Sequence, residues 1–544
     1  MMKKQNLFFI LGLVLVFAVS SCGNKKKETT EMENKVNEFA VVELNADLSA
    51  LTENEKQMIP ILVEVAQIMN ELFWTQAYGD KEELFAKIED EWTRKFVEIN
   101  YGPWERLNDN KSFVEGIGDK PLGAQFYPAD LTKEEFDAWE DENKANLYTM
   151  IRRDDEGNLK AIWYHEYYQE QLTKASELIS KAAELAEDEG FKKYLELTAE
   201  ALLTSEYYDR DLAWMDMRNS NIDFIVGPIE NYEDSRYGYK AAFESFILIK
   251  DKDWSAKLDK FSAMLPELQA GLPCDDIYKQ EVPGIDSDMG VYQAIYYQGD
   301  CNAGSKTIAI NLPNDEKVHL LKGSRKLQLK NSMKAKFDHM VIPIGDVVIA
   351  EDQRQYIKFD AFFQNTTFHE VGHGMGIKNT INGKGPVRSA LKEHYSAIEE
   401  NKADIMGLYL SKVLHEMGEL DEGEIMDNYV TFVAGLFRSI RFGTASAHGK
   451  ANLARYNFLM EKEAISRSEE GLYSVDYDKM TAAMEELIAI IMKIQGEADI
   501  DAAIAHTEKY QVYTDALNED LERIANANIP RDIVFKQGLD VLGL

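Results

Sequence analysis

The sequence predicts an α+β fold, mostly α, made of two lobes with a cleft between them. Three observations lead there. The chain has 544 residues, more than one hydrophobic core usually serves. Its texture runs helix-rich, then β-rich, then helix-rich. No self-similarity at solenoid spacing interrupts that order. At 45% hydrophobic and 11% aromatic residues, composition is that of a packed protein.

The N-terminus reads as an address. Lys3 and Lys4 precede an apolar run at 7–19, too short to span a bilayer and suited to the core of a secretory signal. Val19-Ser20-Ser21-Cys22 then sets a cysteine after small residues, as in a bacterial lipobox. The expectation is a lipoprotein signal over 1–21, with Cys22 lipidated. The protein would then be held at the bacterial cell envelope by that lipid anchor alone, facing periplasm or exterior. An ordinary signal peptide with a chance cysteine is the alternative. Residues 22–45 are polar at their start and read as a flexible tether. No later apolar run is long enough for a second span.

From about 46 to 215 the pattern is helical. Leu172, Ala175, Leu178, Ile179, Ala182, Ala183 and Ala186 form one 3.6-period stripe. Between 216 and 350, β-branched and aromatic runs at 222–229, 243–249, 291–297, 307–312 and 340–349 read as strands of a mixed β-sheet or barrel. From 351 helical periodicity returns, clearest at Met480, Met484, Leu487, Ile488 and Ile491. The division expected is therefore 46–350, a helical then β-containing lobe, and 351–544, a helical lobe.

Charge excludes several functions. Sixty Lys+Arg against 95 Asp+Glu leave −35, a field that repels phosphate backbones and argues against nucleic-acid binding. With Cys22 assigned to lipid, only Cys274 and Cys301 remain; they could pair or stay as thiols.

The sharpest motif is His369-Glu370-Val371-Gly372-His373. On a helix, i and i+4 share a face, so both imidazoles can reach one ion and Glu370 lies beside it. Chance gives fewer than roughly 0.03 such H-E-x-x-H matches in a chain of this composition. Zinc needs a third protein ligand. A further histidine three residues past Gly376 would complete a metzincin pattern, but residue 379 is Asn. The better source is Glu399-Glu400-Asn401-Lys402-Ala403-Asp404. Glu400 and Asp404 share a helix face there, so one can bind metal while the other orients a ligand histidine. A solvated acidic helix is the plain alternative, and His394 is a rival ligand.

Together these stretches resemble the dipeptidyl peptidase III family of zinc metallopeptidases, whose H-E-x-x-G-H helix is followed by an E-E-C-R-A-[DE] helix. Here HEVGHGMG at 369–376 is one residue shorter in the motif, as in a subgroup of the wider family, and Asn401-Lys402 replaces Cys-Arg. Asn311-Leu312-Pro313-Asn314 is similar to the family's N-x-P-N segment. Glu230-Asn231-Tyr232 is similar to its E-x-Y segment, and Ala447-His448 to its essential-histidine segment, all in matching order over about 215–460. Alone, each could be ordinary: turn residues around Pro313, a core tyrosine, a satisfied histidine.

The resemblance implies one Zn²⁺ held by His369, His373 and Glu400, with Glu399 and Asp404 steadying the ligands. It implies Glu370 as general base, and Tyr232 and His448 stabilising the oxyanion. Glu230, Asn311 and Asn314 would then grip the substrate's free N-terminus. The function implied is release of dipeptides from peptide N-termini. A zinc endopeptidase or other zinc hydrolase, and a non-catalytic peptide-binding lipoprotein, are the alternatives.

Overall fold

The computed structural model describes residues 29–281, 287–444 and 446–544. The signal segment 1–21 and Cys22 lie outside the described residues. Among the described residues no helix is long and apolar enough to cross a membrane.

The chain enters through a short helix, Glu31–Asn37, and strand β1 (Phe39–Glu43). The part of the expected 22–45 tether that is described is thus structured. Thr30 caps the helix in a reciprocal box with Glu33, which supplies local order that polarity alone did not reveal. The long α1 (Glu53–Ala77) and α2 (Gln169–Leu185) follow, and the alanine-rich stripe of α2 is buried as its period requires. Next come β2 (Ile222–Glu230), β3 (Ala242–Lys250), helix α3 (Lys252–Ala270), β4 (Ser287–Gly299), β5 (Ala309–Leu312) and β6 (Ser324–Leu329). The strands make one open five-stranded sheet in the order β2-β3-β4-β6-β5. Only β4 and β6 run parallel; the other neighbours are antiparallel, so the sheet is mixed and not a barrel. Among the described residues β5 is an edge strand, bonded to β6 alone.

The run at 340–349, expected as a strand, is helical instead: a π turn over Phe337–Val341 leads into helix Ile342–Val348. Met340, Val341, Ile344, Gly345 and Val348 are buried there. Ile342 and Asp346 face outward between them, but Ile342 and Val347 make the wetter side apolar too, so the run reads like a buried strand. Conversely, β6 went unread because its Ser-Arg-Lys-Leu-Gln-Leu looks like a charged surface segment.

The second lobe is helical: α4 (Phe359–Gly374), α5 (Tyr395–Glu416), α6 (Ile425–Ile440), α7 (Ala447–Glu461) and α8 (Tyr477–Glu497). Two hydrophobic cores result, and the line between them is not at 350. α3 packs Trp254 on Phe363 (4.9 Å between ring centres) and Phe261 on Phe368 (5.6 Å), so it belongs to the helical core, as do Met333, Phe337 and Ile344. β4 serves both: Met289 and Val291 enter the helical core, Tyr292 to Tyr297 the other. Finally β7 (Asp532–Lys536) returns to pair in parallel with β1. Cys274 and Cys301 are free thiols; the first packs against the helical core, the second lies in the sheet-bearing one.

Candidate active site

Two glycines let the α4 and α5 backbones touch. A Cβ on Gly372 would sit 2.6 Å from the Ala403 carbonyl oxygen, and one on Gly407 would sit 2.7 Å from the His369 nitrogen. Neither distance is compatible with a side chain. This contact brings His369, Glu370 and His373 against Glu399, Glu400 and Asp404.

The imidazoles are fixed from behind. His369 Nδ1 lies 2.6 Å from Asp404 Oδ1, and His373 Nδ1 lies 3.0 Å from Glu399 Oε1. Each ring therefore turns its Nε2 inward, and the two Nε2 atoms stand 3.2 Å apart. Glu400 Oε2 faces them at 3.5 and 3.7 Å, is buried, and accepts no hydrogen bond from any described residue. His448, at the start of α7, brings its Nε2 within 3.1 Å of that same oxygen. His369, Glu400 and His448 each offer an atom within 4.8 Å of the others. Two facing lone-pair nitrogens, an orphaned carboxylate oxygen and carboxylates behind the rings are the donor chemistry of a divalent-metal site. The residues present fit a zinc ion.

The carboxylates behind the ligands are themselves held. Burial pushes Asp404 up, but Arg455, fully buried on α7, and the His369 ring outweigh it and hold the carboxyl well below its usual range. Burial likewise opposes ionisation of Glu399, yet Lys402 at 2.9 Å and His373 hold it down, and Gln495 donates to its second oxygen at 2.8 Å. Burial disfavours charge on His369, but Asp404 prevails and lifts the ring to about 9. A metal ion there must displace a proton.

Glu370 faces the other lobe. Lys326 of β6 places its Nζ 2.9 Å from the Glu370 carbonyl and 3.4 Å from Oε2. Against burial, Lys326 and the two histidines hold the Glu370 carboxyl below the ordinary value. In the sheet, Lys326 is directly opposite Asn311 of β5. The segment expected to grip substrate is thus one strand from the contact that reaches the base. Glu230 ends β2; Asn314 donates to the Ile229 carbonyl at 3.1 Å, and burial pushes the Glu230 carboxyl up against the opposing influence of Asn314. Tyr232 is 76% exposed, and the nearby Glu230 raises its phenol.

Every site residue expected from sequence within the described segments therefore falls into one of two groups, one around the convergent Nε2 atoms and one around Glu230 and β5. His394 does not join them; its ring faces Glu393 at 3.8 Å. Lys326, Arg455 and Gln495 were missed. Arg455 had a signal: His448, Asn452 and Arg455 follow i, i+4, i+7 on one helix face. The Asn401-Lys402 departure proves structural, since Asn401 accepts from Arg455 at 3.0 Å and Lys402 pairs with Glu399.

A cavity of about 730 Å³ opens from His369, Glu370 and His448 along residues 305–309. An H-E-x-x-H helix crossed by a carboxylate-bearing helix, beside a peptide-sized cleft and an edge strand, defines a metallopeptidase. The comparisons agree. The model of peptidase family M49 matches residues 140–385. The solved structure of DPP III from Caldithrix abyssi superposes with a TM-score of 0.89 at 40% identity, covering 93% of this chain and 98% of that one. That of dipeptidyl-peptidase III from Corallococcus sp. strain EGB gives 0.76 at 35%, covering 93% and 96%. Nudix hydrolase 3 of Arabidopsis thaliana is 35% identical over 576 residues, 94% of this chain and 74% of that protein. About a quarter of that plant protein lies outside the match. The chain belongs to peptidase family M49, the dipeptidyl peptidase III family.

Proposed function

We propose that this protein is a zinc-dependent exopeptidase that releases dipeptides from the N-termini of peptides. The observation that carries the reading is the Asn311–Lys326–Glu370 adjacency, which sets an edge strand and its amine-binding group beside the metal helix. The names of the two solved relatives agree with it.

His369, His373 and Glu400 would hold one zinc ion, with His448 within reach of Glu400 Oε2 and grouped with His369 and Glu400 as a further donor. When bound, zinc supplies a Lewis acid that acidifies water and polarises a carbonyl. Glu370, kept ionised by Lys326, takes the proton from the attacking water and passes it to the leaving amine. The substrate adds to the free edge of β5, its ammonium toward Glu230 and Asn314, so its chain runs antiparallel to β5 toward residue 306. His448 and the exposed Tyr232 flank the reacting carbonyl and stabilise the oxyanion. A fixed span from the amine clamp to the metal sets the two-residue product. We propose further, from the lipobox-like Val19-Ser20-Ser21-Cys22 alone, that lipid on Cys22 holds the protein at the bacterial cell envelope.

The test is hydrolysis of dipeptidyl arylamides by the purified protein, with and without zinc chelation, alongside Glu370→Ala. Chelation and the variant are each expected to abolish turnover, and N-acetylation of a peptide substrate to block its cleavage. Full activity of Glu370→Ala would overturn the mechanism. Cleavage of acetylated peptides would point to an endopeptidase.

A further inference from the structure

The cavity that begins at His369 and Glu370 ends among cations. Lys306, Lys336 and Arg438 line it there, in a protein of net charge −35. One carboxylate, Asp532, stands among them. Its Oδ2 accepts from Lys336 at 3.1 Å and from the Ser305 hydroxyl, and its Oδ1 from the Ile533 nitrogen at 2.8 Å. Lys306 is 4% exposed and, among the described residues, donates only to backbone carbonyls, of Asn302 and Gly304. Arg438 has neither hydrogen bond nor ion pair with any described residue; its guanidinium lies 6.0 Å from the centre of the Phe362 ring. A fourth cation, Arg531, is answered separately by Glu105 at 2.9 Å. Three cations thus share one carboxylate. Burial opposes charge on all three, drawing Lys306 down to about 8 and lowering Lys336 and Arg438. Desolvated, uncompensated cations opening into a cavity are the makings of an anion site.

The strand geometry says which anion. A peptide antiparallel to β5 has its cleaved bond level with about Asn311, since Asn311 faces Lys326 and Lys326 reaches Glu370. Lys306 lies five positions earlier in the chain, about 17 Å at the rise of an extended strand. The cation cluster is therefore reached by the chain end of a peptide with about three to five residues beyond the cleaved bond.

We propose that Arg438, with Lys306 and Lys336, receives the C-terminal carboxylate of a short peptide, so that the cleft measures its substrate from both ends. The orientation rests on the N-terminal clamp proposed above. The experiment keeps the two apart. Zinc-loaded Glu370→Gln protein is titrated calorimetrically with alanine-rich peptides of four to nine residues, each as free acid, as C-terminal amide, and as N-acetylated free acid. A further set of amides carries Glu at one of the last positions.

Free acids are expected to bind about tenfold tighter than amides within a window near five to seven residues. Arg438→Gln should bring that ratio close to one, and Arg438→Lys should keep part of it. Equal binding of acid and amide at every length would overturn the pocket without any variant. So would amides bearing Glu that bind as tightly as the free acids, because the site would then read a side chain. Loss of binding on N-acetylation reports the amine clamp alone. If acetylation has no effect while the acid preference remains, the exopeptidase reading fails and the pocket stands.

Discussion

At the scale of single residues, the metal group is local chemistry and was legible as such. His369 and His373 are one helical turn apart, and Glu399, Glu400 and Asp404 occupy another turn. Lys326 was not legible, because its partner Glu370 is 44 residues away and its own strand resembles surface. Its role yields a prediction. Removing the charge in Lys326→Met takes away the first opposing influence on a carboxyl that burial pushes upward, so the Glu370 pKa rises. A base works ionised, and a depressed pKa means activity is lost only as pH falls through that low value. The acidic limb of kcat/KM should therefore move to higher pH, with kcat at neutral pH down roughly tenfold. A pH–rate profile whose acidic limb is unmoved would refute the assignment. Lys240 gives a second prediction. It is fully buried, donates to the carbonyls of Lys144 and Asn146 and to Thr149, and burial draws it down to about 7. Between pH 7 and the unfolded value near 10.4 the unfolded chain binds the extra proton, so stability climbs with pH by up to about 1.4 kcal/mol per unit. Urea unfolding at pH 7.5 and 9.5 should show a rise in the parent that Lys240→Met lacks; equal slopes would count against it.

Elements carry the site through their spacing, and here sequence patterning was a partial guide. Helical stripes such as Met480 to Ile491 on α8 were plain because one face is buried and the other wet. The run at 340–349 misled because apolar residues such as Ile342 also occupy its outward face and blur the helical period, and the π turn beginning at Phe337 leaves no sequence trace. The α4–α5 crossing was invisible for a different reason. Gly372 could be read as a mere x in H-E-x-x-H and Gly407 as any helical glycine, though both are needed for contact. Gly407→Ala places a methyl group 2.7 Å from the His369 nitrogen and 2.9 Å from the Phe368 carbonyl carbon, so the helices must part. The expected result is a loss of at least about tenfold in zinc affinity, as when the support of a metal ligand is disturbed, with Tm lowered as well. Competition with a chromophoric chelator measures the first and circular dichroism the second. Wild-type zinc affinity in Gly407→Ala would show that the close approach is dispensable.

For the whole molecule, two lobes were foreseeable from texture, but their boundary was not, because the chain crosses between cores several times. α3 leaves the sheet to complete the helical core, β4 gives its first residues to that core and the rest to the other, and β7 brings the C-terminal segment back to β1. Ile533 and Phe535 of β7 also pack with Ala335 and Met340, a third small cluster that ties the two halves. A continuous strand shared by both cores cannot unfold with one and stay folded with the other, so the lobes should melt as one unit even though a cleft separates them. Zinc binding in the helical lobe must then stabilise the sheet lobe too. With metal near a thousandfold above its dissociation constant, linkage adds about 4 kcal/mol. Spread over the unfolding entropy of about 500 ordered residues, that is a shift of about 4 °C. Differential scanning calorimetry of the zinc-loaded protein should give a single transition, and chelation should move all of it downward by about that amount. Two peaks, of which chelation moves only one, would show that the β4 and β7 crossings do not couple the cores.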